Sequence, residues 1–166
     1  MEFKELRKAL AAEAKKAGIC KEWYNYILNA SSMERLLVMY YKGFDFIQDN
    51  NFPSVKLRKE FDGVRQHFNI YENEPFNTKN PRQLVAYAGA SGSAVFTGYA
   101  VSQIWAMKDS EISINAGGGC YITLDVAPGA RVRIKADGNS RVIVFNHGGA
   151  VTHEAAEKAI ITIKDK

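Results

Sequence analysis

Three histidines, two cysteines, a glycine triplet and a run of alternating cations are the residues of this chain whose types could do chemistry. His67, His147 and His153 have no Cys, His or Asp at the short spacings that build a metal site. They read as corner and surface histidines, and neither a metal nor another cofactor is expected. The segment "NAGGGC" has the glycines of a phosphate-cradling loop, but such a loop needs a helix N-terminus after it and usually a lysine. Here the strand-like "YITLDV" follows, so Gly117 to Gly119 read as a corner with positive backbone torsions. A nucleophilic Cys120 would need a base; none is near in sequence, and only a spatial meeting with His147 could supply one. Glycoside chemistry wants two carboxylates on one groove, whereas Asp125 and Asp137 fall at different positions of the repeat described below. No catalytic residue is expected, and the chain reads as a non-enzyme.

The cations are more informative. Arg131, Arg133 and Lys135 alternate with Val132, Ile134 and Ala136, the period of a strand that shows one side to solvent. Three cations on one side form a ledge that could dock an acidic partner or a phosphate backbone. The plainer alternative is that Glu111 pairs with Arg131 and the rest are solvated charges that protect a sheet. Nucleic acid would favour more cations, with aromatic stacking platforms between them.

The elements that must position this ledge repeat every ten residues. Ile112, Ile122, Val132 and Val142 stand ten apart, as do Ile114, Leu124, Ile134 and Val144. Ser110, Cys120, Ala130, Ser140 and Ala150 mark a small-residue corner, preceded by Asp109, Gly119, Gly129, Asn139 and Gly149. A strand of about five residues and a turn reverse the chain only once, so two units make a coil of about 20 residues. Stacked coils would pair in parallel and bury their apolar columns. An antiparallel meander is the alternative, but it tolerates varied lengths, and strict register favours the solenoid. In that coil Arg131, Arg133 and Lys135 lie above Glu111, Ser113 and Asn115, with Arg141 on the opposite face over Tyr121.

The first half has a helical period instead. "FKELRKALAAEAKKAG" spaces Phe3, Leu6, Leu10 and Ala14 by three and four and stops at Gly18. "KEWYNYILNA" follows, then "SSMERLLVMYYKGFDFIQDN" as one helix opened by a capping box of Ser31 and Glu34. Pro53 ends it, and "SVKLRKEFDGVRQHFNI" reads as a fourth helix, with His67 on its polar side. Tyr24, Tyr26, Tyr40, Tyr41, Phe44 and Phe46 exceed what four short helices need for a core. Some are expected to cover the solenoid end as a seam between the two regions; the alternative is a partner-binding groove, for which Tyr40 and Tyr41 are the candidates. The fold expected is α+β: a helical bundle over 1–72, a linker over 73–83, and a short parallel β-solenoid over 84–166.

Charge limits the partners. Residues 1–80 hold 13 Lys/Arg against 11 Asp/Glu and residues 81–166 hold 9 against 7, so each half is only +2. Nucleic-acid binders concentrate positive charge more strongly. Without a long apolar run, no membrane partner is expected. The charged start and two cysteines in different halves point to a reducing, cytoplasmic setting without disulfides.

"FKELRKALAAEAKKAGICKEW", "LLVMYYKGFDFIQDNNFPS" and "GYAVSQIWAMKDSEISI" followed by repeats resemble a family of short, mostly uncharacterised proteins of gut Bacteroidetes, their phages and mobile elements. The resemblance covers nearly the whole chain and brings no catalytic residues. It implies a helical head, a solenoid tail and an accessory role against a host defence system. The functional expectation is a protein that binds a protein partner or itself, an oligomer included. Arg131, Arg133, Lys135, Arg141, Tyr40 and Tyr41 are the partner-binding candidates, and nucleic-acid binding through the ledge is the alternative.

Overall fold

The apolar residues spaced ten apart become the inward columns of two parallel sheets in the computed structural model, which describes all 166 residues. Eleven strands follow one another: β1 Ile70–Glu72, β2 Pro75–Lys79, β3 Gln83–Tyr87, β4 Ser91–Phe96, β5 Val101–Ala106, β6 Glu111–Ala116, β7 Tyr121–Val126, β8 Arg131–Ala136, β9 Arg141–Asn146, β10 Ala150–Ala155 and β11 Ile160–Asp165. Odd-numbered strands form one sheet in the order β1 to β11, and even-numbered strands form the other, from β2 to β10. Every pairing is parallel, in a β-solenoid of about 5 turns with about 20 residues per coil. The meander is thereby set aside. Ile112, Ile114, Ile122, Leu124, Ile134 and Val144 are buried between the sheets, each worth about 1.5–3 kcal/mol against exposure.

The two kinds of corner are not equivalent. Gly98, Gly118, Gly138 and Glu157, two residues past the even strands, have φ between 56° and 66°. In the other corner the positive torsion falls on the third residue at Asp109 and Gly129, but earlier at Ala88 and Gly89 after β3 and at Gly148 after β9. Of the triplet expected to turn together, only Gly118 has positive φ.

The solenoid begins earlier than the sequence suggests. The stretch 73–83, expected as a linker, contains β2, which pairs with β4, and β1 lies inside the expected helical segment. Two compact units result, Met1–His67 and Phe68–Lys166.

In the first unit α1 (Phe3–Lys16) buries Leu6, Leu10 and Ala14 as its spacing requires. The helix α2 (Lys21–Leu28) follows, then α3 (Met33–Lys42), whose N-cap is Ser32 rather than Ser31: its hydroxyl accepts from the Arg35 N–H at 3.3 Å. Gly43 divides the expected long helix, leaving α4 as Phe44–Asn50. The expected fourth helix shrinks to α5 (Val55–Arg58) and 3-10 turns at Lys59–Phe61 and Arg65–Phe68, because Gly63 turns the chain at φ 85°. No helix is long and apolar enough to cross a membrane.

Candidate functional site

The ledge lies on β8, next to the edge strand β10 of the even sheet, where β6 and β10 hold the strand on both sides. Alternation turns Val132 and Ile134 into the core and leaves Arg131, Arg133 and Lys135 exposed. Register places Glu111, Ser113 and Asn115 beside them on β6, and Ala150, Thr152 and Glu154 on β10. Arg131 has no ion-pair partner. The carboxylate of Glu111, in register with Arg131, instead lies 3.6 Å from Arg133, and Glu154 lies 4.0 Å from Lys135. Both pairs are well exposed, and such pairs contribute about 0–1 kcal/mol each. They leave the cations available for exchange with a stronger acidic partner.

Beside Lys135 the corner opens into a groove of about 710 Å³. Ala116 and Ala136 line it, with Gly117 and Gly118, while Asn115, Asp137 and Glu154 supply polar atoms. Groove and ledge therefore meet at Lys135. Sequence reasoning missed this groove because Glu154 sits 19 residues after Lys135, in the one coil that drops a residue.

Arg141 is on the odd sheet, in register with Tyr121, and so apart from the ledge. Tyr41 is buried in α3 and Tyr40 is half-buried, its ring edge-on to Tyr41 at 6.1 Å and to Phe44 at 5.8 Å. Tyr40 is thus the more accessible of the two. The aromatic that sequence reasoning passed over is Tyr99, 90% exposed at a solenoid corner.

The residues that could do catalysis are dispersed. Cys120 precedes β7 and is buried, and burial pushes its thiol pKa above the usual range. His147, whose N–H donates to the Val126 carbonyl, belongs to the far end of that strand, roughly 20 Å away. No Cys–His pair forms. His147 Nε2 lies 3.2 Å from Asp125 Oδ1, an isolated contact without a nucleophile. His67 and His153 are exposed, and no three His, Cys, Asp or Glu residues are grouped to hold a metal ion. Both cysteines are free. Comparison with protein-family models, curated proteins and solved structures finds no match.

Proposed function

We propose that this chain is a binding protein that acts without catalysis of its own, its ledge of Arg131, Arg133 and Lys135 docking on an acidic protein surface. The observation that supports the reading is one strand, paired on both sides, presenting three exposed cations with only weak internal pairing. A platform already ordered loses little entropy on binding, so modest charge contacts count for more. The resemblance to proteins of gut Bacteroidetes and their mobile elements suggests the setting, which is interference with a host defence assembly in the cytoplasm. Three cations with no aromatic stacking platform between them suit a protein surface better than nucleic acid.

The test is a pull-down from host lysate with the intact chain and with R131E/R133E/K135E, each with and without nuclease and across a salt series. A discrete protein that survives nuclease and is lost with the triple variant is the expected result. Recovery of nucleic acid whose affinity falls with a log–log salt slope of roughly −2.7, the figure for three phosphate contacts, would replace the reading with the nucleic-acid one. A protein captured equally by both forms would remove the ledge from the function.

A further inference from the structure

The outer face of the odd sheet differs in chemistry from the ledge. Along its edge Val101, Tyr121, Arg141 and Ile160 stand in register on β5, β7, β9 and β11. Val101 is 65% exposed, Tyr121 41% and Ile160 52%, a row of large apolar groups broken by one cation. At strand spacing the row is about 14 Å long.

Its order is complementary to its own reverse. A second copy laid antiparallel on the row would set Val101 against Ile160 and Tyr121 against Arg141, each contact occurring twice, as a two-fold interface requires. Arg141 would lie over a tyrosine ring, a cation–π contact. A parallel arrangement would instead oppose the two Arg141 side chains. The adjacent corner repeats the pattern. Backbone bonds from Gly119, Asn139 and Lys158 to Gly98, Gly118 and Gly138 align Tyr99, Gly119, Asn139 and Lys158 in successive coils. Reversal places Tyr99 opposite Lys158, a second aromatic–cation match. The Tyr99 ring lies over Gly119 of the following coil, where an added Cβ would fall 2.8 Å from it.

We propose that a second copy of this chain docks antiparallel along Val101, Tyr121, Arg141 and Ile160, so that each Arg141 covers the Tyr121 ring of the other copy. This face is separate from the ledge, so either proposal can fail alone. The row is smaller than the roughly 800 Å² per partner of a standard interface, so dissociation is expected at roughly tens of micromolar.

Sedimentation equilibrium of the full chain over a wide concentration range tests the association, and cysteine pairing tests its direction. The intact chain should dimerise, and R141E, with an unchanged circular dichroism spectrum, should weaken the dimer roughly tenfold or more. In a C20S background, V101C mixed with I160C should form an intermolecular disulfide, whereas neither variant should do so alone. A chain that stays monomeric into the high-micromolar range overturns the proposal and leaves the row to a different protein or ligand. So does a dimer indifferent to R141E, and cross-linking of V101C with itself would show the parallel arrangement instead.

Discussion

Gly98, Gly118 and Gly138 stack at the same corner of successive coils, and at Gly118 and Gly138 the glycine one coil earlier leaves no room for a side chain. A Cβ on Gly118 would lie 2.7 Å from the Gly98 oxygen and 2.9 Å from its nitrogen, and the residue already has φ 66°. Both obstacles are backbone, which cannot swing aside. G118A is therefore expected to cost about 2–4 kcal/mol, the sum of left-handed strain and overpacking. Gly18 gives the control, since at φ 85° it has nothing within 4 Å of an added Cβ, so G18A should cost only the strain. Urea unfolding of the two variants measures the difference, and equal losses would mean that the stacking contact carries no energy. Side-chain reach explains what register alone could not reveal at this scale. Periodicity located Glu111 beside Arg131, and the Cα positions agree, yet the carboxylate spans the diagonal to Arg133. Ladder position fixes where a side chain starts, and a flexible arginine decides where it ends.

At the scale of the element, the cap of α3 carries a pH dependence. The Ser32 hydroxyl, and then Glu34's own backbone N–H, hold the Glu34 carboxyl below its ordinary pKa of 4.5. A carboxyl depressed by folding stabilises the folded state fully above the unfolded pKa, and loses that contribution as pH falls through the folded one. E34A should therefore be less stable than the parent near pH 7, with the gap narrowing below about pH 4.5. Thermal melts of both proteins at several pH values follow it; a constant gap down to the acid limit would exclude the ionised carboxylate as its source. Elements with uniform spacing were legible in the sequence. The strands from β6 to β9 show it, because Ile112, Ile122, Val132 and Val142 repeat without interruption. The strands β1 and β2 were not, since Ile70 pairs with Val85 and Pro75 with Ser91, offsets of 15 and 16 residues that no repeat announces. Residues such as Pro75, Asn77 and Lys79 favour a loop when read locally, and only pairing with β4 makes them a strand. The candidate dimer row was half legible: Tyr121 and Arg141 fit the repeat of 20, but Ile160 follows Arg141 by 19.

Across the whole solenoid, the ten-residue beat of the sequence conceals a true repeat of 20, and the corners distinguish the two. Solenoid stability is approximately a sum over neighbouring coils, so removing one complete coil should leave the rest able to close. Deleting residues 111–130 joins Ser110 to Arg131, sets β8 on β4 and β9 on β5, and places Gly138 over Gly98 in a matching corner. Removing only residues 111–120 preserves the inward alternation, since Ile122 takes the place of Ile112, and by hydrophobic pattern alone it should be equally harmless. It would, however, bring Pro128 to the corner position where Gly98 has φ 66°. A proline ring locks φ near −65°, so that corner cannot form without displacing the coils around it. The longer deletion should give a cooperatively unfolding β protein of somewhat lower midpoint, and the shorter one a poorly folded or aggregating chain, as judged by circular dichroism and size-exclusion chromatography. If the ten-residue deletion folds as well as the twenty-residue one, the corners are interchangeable and hydrophobic alternation alone specifies the coil. If the order is as expected, the left-handed corner of Gly98, Gly118 and Gly138 and the proline-bearing corner of Pro128 cannot exchange, which keeps the cationic ledge and the Tyr121–Arg141 row on separate faces.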